Sequence, residues 1–205
     1  VRRKLLPPKL LSEENKITLV LDLDETLVHS IFAPTSHCDF SFITDPRHHI
    51  SVCIRPGVKE FIHQVGNLYE LVLFTVGNNI YADRIIDFID PHHMIKHRLY
   101  RESCTYLNGT FVKDLSRLGR DLNKVIILDD SPLSYKLQPK NALPISSWID
   151  DPDDKELLRI QNFLIQNHAA DNVYIILNEY RRKYLKTRNR KRNIKRKCLS
   201  PKNKK

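Results

Sequence analysis

No apolar run in this chain approaches the roughly eighteen residues a membrane-spanning helix needs, and the opening VRRKLLPPKL lacks the apolar core of a signal peptide. The expectation is a soluble protein. No internal repeat divides the 205 residues, which suit a single domain with a real core. The four cysteines, Cys38, Cys53, Cys104 and Cys198, form no C-x-x-C pair and show no disulfide-framework spacing. That favours reduced thiols in an intracellular compartment. Acidic residues are absent from positions 181–205, where 14 of 25 residues are Lys or Arg. The remainder therefore holds 20 basic against 24 acidic residues, so the net charge of +10 belongs entirely to the tail. With few apolar residues and Tyr184 as its one aromatic, the tail is expected to be disordered beyond its first turns.

What is present is organised around ITLVLDLDETLVHS, Ile17 to Ser30. The aliphatic run Ile17–Leu21 reads as a strand buried in a parallel sheet, and it ends abruptly on Asp22 and Asp24. Residues two apart on extended backbone face the same way, so both carboxylates can address one ligand. Open α/β sheets place their ligand crevices just past the carboxyl ends of strands.

The rest of the chain repeats the pattern. Phe32 to Ile54 contains DFSFIT and HISVCI around Asp45-Pro46-Arg47, a β-hairpin that would stand over the carboxylates as a flap. Pro56-Gly57 opens a helix with Val58, Phe61, Ile62 and Val65 on one face. A strand from Glu70 ends at Thr75, and Ile80–Ile89 has a helical period. Asn108-Gly109 marks a tight hairpin. A third strand runs from Lys124 into Asp129-Asp130, NALPI supplies a fourth, and helices are expected at about 153–167 and 173–186. Alternating strands and helices predict an α/β fold with a doubly wound parallel sheet. Residues 1–16 read as a basic arm, 17–180 as the domain and 181–205 as the tail. The pairs His48-His49 and His92-His93 argue little for metal, because adjacent histidines diverge and no Cys or Glu partner has a ligand spacing.

Asp22 and Asp24, Thr75, and Asp129-Asp130 thus converge from three strand ends. Clustered carboxylates repel unless a cation sits among them, and an all-oxygen set suits Mg²⁺. A threonine hydroxyl and a lysine would complete a cradle for phosphoryl transfer.

DLDETL resembles the D-x-D-x-T signature of the haloacid dehalogenase superfamily of phosphohydrolases. LVLDLDETLVHS, ELVLFT…YAD, RESC…VKDLSRLGRDL and ILDDSP…NALPISSW resemble its small C-terminal-domain phosphatases, the NLI-interacting-factor-like branch. The resemblance implies a haloacid dehalogenase-like fold with a short flap and no large cap. It implies a Mg²⁺-dependent serine/threonine phosphatase, acting on phosphoserine in Ser-Pro contexts such as the RNA polymerase II C-terminal domain. Asp22 would be the nucleophile that forms an aspartyl-phosphate, and Asp24 the acid that protonates the leaving oxygen and then activates water. Thr75 and Lys113 match the second- and third-motif residues. Asp22, the backbone carbonyl of Asp24 and Asp130 would ligate Mg²⁺, with Asp129 in the same set. Thr26, Phe32, Tyr81 and Arg101 would form the substrate side, Arg101 meeting the phosphate with a planar fork. Asp130 stands where Asn is usual, adding a charge beside the metal, and Asn78 stands where Leu is usual in the proline pocket. A nuclear location is implied, with the tail read by import receptors or bound to nucleic acid. The alternative readings are a small-molecule phosphatase of the same superfamily and a non-enzymatic scaffold binding nucleic acid or protein. Neither fits well: no large cap fits between Asp24 and Thr75, and a scaffold has no physical need for clustered carboxylates.

Overall fold

The computed structural model describes residues 4–45 and 48–183. In chain order its elements are β1 (Thr18–Leu21), β2 (Val28–Ile31), β3 (Phe40–Asp45), β4 (His48–Ile54) and α1 (Val58–Leu68). There follow β5 (Glu70–Phe74), α2 (Asn79–Ile89), β6 (Ile95–Leu99), β7 (Thr105–Leu107) and β8 (Thr110–Val112). β9 (Val125–Asp129), β10 (Ala142–Pro144) and α3 (Glu156–Asn167) come next, and a last helix, α4, runs from 173 through 183. The expected end of α4 at 186, and the basic tail, lie outside the described residues.

The central sheet has the order β10-β9-β1-β5-β6, with every neighbouring pair parallel. Thr18 pairs with Glu70 on one side and Val125 on the other, so β1 is fully enclosed. That is why TLVL, ELVLF and VIILD are aliphatic along their middles and buried at every position. Alternate residues serve two cores. Leu19, Leu21, Leu71 and Leu73 pack with the buried faces of all four α-helices. Val20, Val72, Phe74 and Ile127 pack instead with Leu115, Leu118, Tyr135 and Leu6. The second face is therefore closed by short turns and the amino-terminal segment. Right-handed crossovers account for this: the chain leaves β1 toward β5 and β6 with helices on one side, then returns to β9 and β10 across the other.

Helix α1 follows Gly57, whose φ of 82° needs a residue without Cβ. Helix α2 is capped by Asn78, whose side chain accepts from the Tyr81 N–H at 2.9 Å. Asn108 and Gly109 both have positive φ, 51° and 78°, the signature of the tight β7–β8 hairpin.

The structure adds two strands to the sequence reading and overturns one expectation. The flap is a three-stranded sheet, β2-β4-β3, because VHSI after the Asp-rich loop also pairs with β4. The segment IKHRL, given no element in the sequence reading, is the edge strand β6; pairing on one side only lets it carry Lys96, His97 and Arg98. Finally, Cys38 and Cys53 are joined by a disulfide. Phe40 lies opposite Val52 and the Asp39 N–H donates to the Val52 carbonyl at 3.0 Å, so the incoming loop runs alongside the end of β4. No spacing rule would show that. Cys104 is free, and burial pushes its thiol up to about 11.

Candidate active site

The order reverses between β1 and β9, and the carboxyl ends of these strands form the crevice that open α/β sheets use. Asp22 leaves β1 with its N–H bound to the Leu128 carbonyl at 3.0 Å, so backbone pairing fixes its position. Asp129 closes β9 and Thr75 follows β5, its N–H bound to the Leu99 carbonyl at 2.9 Å. The predicted strand-end residues do come together.

Lys113 supplies the cation among them. Its Nζ, fully buried, donates to Asp22 Oδ1 at 2.5 Å and to Asp129 Oδ2 at 2.7 Å. Burial works against its charge, yet Asp22 and Asp129 outweigh burial and hold the pKa well above the ordinary lysine value. The charged ammonium form is favoured. Asp129 itself is pushed up to about 7, first by burial and then by Asp22, with Lys113 opposing. Its second oxygen accepts from the Ser131 N–H at 2.8 Å.

Thr26, expected on the substrate side, is fully buried. Its hydroxyl donates to Asp22 Oδ2 at 2.7 Å and lies 3.3 Å from Asp130 Oδ1. It aligns carboxylates instead of facing the crevice. Ser147 Oγ donates to Asp130 Oδ2 at 2.5 Å. One carboxylate oxygen each from Asp22, Asp129 and Asp130 lie within 4.8 Å of one another, the single group of this kind among the described residues. Such a hard, anionic oxygen set fits a divalent cation of the Mg²⁺ type. The Asp24 carboxylate is outside this group. It accepts hydrogen bonds from the Tyr81 hydroxyl and, at 3.5 Å, from Thr75 Oγ1. Burial pushes Asp24 up to about 6, the Tyr81 hydrogen bond opposes that shift, and the charge of Asp22 adds to it. A carboxyl poised near neutrality suits proton donation followed by proton removal.

A crevice of about 640 Å³ opens beside Asp24, with Phe32, Asn78, Tyr81 and Arg101 among its lining. Phe32 and Tyr81 stack with ring centroids 6.4 Å apart. Arg101 is exposed, steadied by its Nε donating to the Val76 carbonyl at 2.7 Å and by the Phe111 ring at 5.7 Å. Among the described residues no carboxylate pairs with it, which leaves its two terminal nitrogens for an anion. Asn78 reaches the crevice but spends its oxygen on the α2 cap. A slightly larger cavity, about 710 Å³, lies at the opposite end of the strands among Lys4, Lys9, Arg120 and Lys124 and contains none of these groups.

The model of NLI interacting factor-like phosphatases matches residues 17–174, which includes every residue of this site. The chain belongs to the NLI interacting factor-like phosphatase family. Human carboxy-terminal domain RNA polymerase II polypeptide A small phosphatase 1 is 46% identical over 180 residues, covering 86% of this chain and 69% of that protein. CTD small phosphatase-like protein 1 of Caenorhabditis elegans is 45% identical over 175 residues, 84% of this chain and 36% of that one. Phosphatase Herzog of Drosophila melanogaster is 44% identical over 179 residues, 86% of this chain and 51% of the relative. The chain thus spans from about a third to about seven-tenths of the length of these relatives. The solved structure of Fcp1, an essential RNA polymerase II CTD phosphatase, superposes with a TM-score of 0.70 at 19% identity, covering 82% of this chain and 71% of that one. That likeness shows the haloacid dehalogenase-like fold.

Sequence reasoning about this phosphatase domain missed Ser147, Ser30 and Arg55. Ser147 follows the fourth strand, so the strand-end rule that found Thr75 would have found it. Ser30 lies 2.6 Å from the Tyr81 hydroxyl, a contact made across the flap that no local pattern announces. Arg55 carries no signal beyond a lone charge before Pro56.

Proposed function

We propose that this domain is a Mg²⁺-dependent protein phosphatase working through an aspartyl-phosphate on Asp22. The observation that carries the reading is the buried Lys113 ammonium between Asp22 and Asp129. Asp22 is thereby kept beside a fixed positive charge, while Thr26 holds its other oxygen. Each oxygen retains a second lone pair, so both contacts orient the nucleophile without silencing it.

In the first step Asp22 attacks phosphorus, the bond to the serine oxygen breaks, and the Asp24 proton passes to that oxygen. In the second, Asp24 takes a proton from water as the water attacks the aspartyl-phosphate, releasing inorganic phosphate and restoring both carboxyls. Lys113 and Arg101 offset the charge of the phosphoryl oxygens. Asp22, Asp130 and the Asp24 carbonyl, with Asp129 beside them, would hold Mg²⁺, which when bound would supply further positive charge for the phosphoryl oxygens.

The crevice supports a polypeptide substrate. A three-stranded flap of short strands borders it, and Phe32 at 73% exposure offers an apolar shelf next to Asp24. Together with Tyr81 this shelf suits a proline beside phosphoserine, and the relatives' names point to the RNA polymerase II C-terminal domain. A panel of phosphoserine peptides with and without a following proline, assayed with Mg²⁺ and with EDTA, tests the reading. Turnover that survives exhaustive chelation, or confined to small phosphate esters, would refute it.

The tail supports nuclear targeting through a run such as RNRKRNIKRK. Deleting residues 186–205 should leave peptide turnover unchanged while a fluorescent fusion loses nuclear enrichment. Steeply salt-dependent binding to DNA or RNA, lost on the same deletion, would favour a nucleic-acid role. Among the described residues no helix is long and apolar enough to cross a membrane.

A further inference from the structure

Arg55 is the largest fully buried side chain in the described residues, and the phosphatase reaction gives it no role. It sits where β4, the last flap strand, meets α1. Its Nε and one terminal nitrogen bind both oxygens of Asp154, at 2.8 and 3.0 Å. The other terminal nitrogen donates to two backbone carbonyls, Thr26 at 3.0 Å and Ser146 at 3.0 Å. Burying a guanidinium is expensive unless its donors are used, and four of the five are.

The two carbonyls are the point. The Thr26 hydroxyl holds Asp22 and reaches Asp130. Ser147, next to Ser146, holds Asp130 from the other side. One planar group therefore ties together the two segments whose hydroxyls set the Asp22 and Asp130 carboxylates. The Trp148 N–H adds a parallel tie to the Glu25 carbonyl at 2.8 Å. A lysine could keep the charge but could not satisfy Asp154 and both carbonyls with one fork.

We infer that Arg55, oriented by Asp154, is a positioning residue that fixes the spacing of Asp22 and Asp130 and thereby sets the affinity of the site for a divalent cation. The inference rests on the Mg²⁺ reading of the site above. Thr26 and Ser147 are the outer-shell partners of these carboxylates, a class of residue whose replacement typically changes metal affinity about ten- to hundredfold, and Arg55 acts through both segments.

The test is a Mg²⁺ titration of the full chain without substrate, followed by calorimetry and by the rise in melting temperature, with kcat measured separately across the same titration. Arg55→Lys should weaken Mg²⁺ binding about tenfold or more, with kcat recovering at saturating Mg²⁺. A second variant guards against failure to fold: Arg55→Met with Asp154→Leu replaces the buried ion pair by apolar groups of similar size, a change proteins often tolerate. It should show the same weakening. Mg²⁺ affinity within twofold of wild type in a folded variant, accompanied only by a lower melting temperature, would reduce Arg55 to a fold residue. Wild-type protein that binds no Mg²⁺ would overturn the metal reading itself, and this inference with it.

Discussion

Replacing Lys113 by Met removes a fully buried ammonium and leaves its partners in place. Asp22 and Asp129 each lose a short charged hydrogen bond, of 2.5 and 2.7 Å, and face each other at the mouth of a site that also holds Asp130. Removing one partner of a buried pair costs about 3–5 kcal/mol, because the remaining charge is unsatisfied. Against a typical stability of about 5–15 kcal/mol this is large. With a urea dependence of about 2 kcal/mol per molar, the midpoint should fall by roughly 2 M. Denaturation in EDTA at pH 8 measures it. The loss should shrink on lowering the pH, because Asp129, already raised to about 7, then takes up a proton. It should shrink also when Asp129→Asn is added, which removes one of the two orphaned charges. A midpoint equal to wild type, or no relief from Asp129→Asn, would refute the claim that Lys113 neutralises the site. Turnover should be lost in either variant.

Asp22→Asn should abolish turnover with the fold intact, and beryllium fluoride with Mg²⁺ should raise the melting temperature of wild type but not of this variant; near-normal hydrolysis would sink the nucleophile assignment. Asp24→Asn should stabilise the EDTA-treated protein at pH 8 by about 1–3 kcal/mol. The folded-state value of about 6 makes the ionised wild-type carboxylate a burden above that pH. The gain should fade as the pH falls from about 6 toward 4 and be gone below that, where both states are protonated; a pH-independent difference would contradict it. Tyr81→Phe should lower kcat about tenfold on phosphopeptide and p-nitrophenyl phosphate alike, because its hydroxyl binds Asp24. Tyr81→Ala should in addition raise KM for a Ser-Pro phosphopeptide by a factor worth ~1–3 kcal/mol. Unchanged kcat in Tyr81→Phe would leave the ring, not the hydroxyl, as the working part.

The strands that carry the site were legible because they are enclosed on both sides. TLVL, ELVLF and VIILD have no polar residue to spare after their first position until the chain emerges at Asp22, Thr75 and Asp129. The same logic hid β6, where pairing on one side leaves room for charged side chains, and β2, whose four residues run from buried to exposed. Thr26 could be matched to a motif, but only its burial reveals that it serves Asp22 and Asp130. The disulfide and the Arg55 tie depend on contacts between distant segments, such as the 99 positions separating Arg55 from Asp154. No window along the chain contains such a contact.

The enclosure of β1 has a kinetic consequence. Lys113 reaches Asp22 across 91 positions and Thr26 reaches Asp130 across 104, and the second contact joins the segments that follow β1 and β9, which lie side by side in the sheet. Parallel pairing at such separations comes late, since the loop must close before any contact rewards it. Catalytic competence should therefore appear only with the final cooperative phase of refolding, after the flap hairpin and α1 have formed from local contacts. Enzyme activity regained over time then serves as a clock for the completion of the whole sheet.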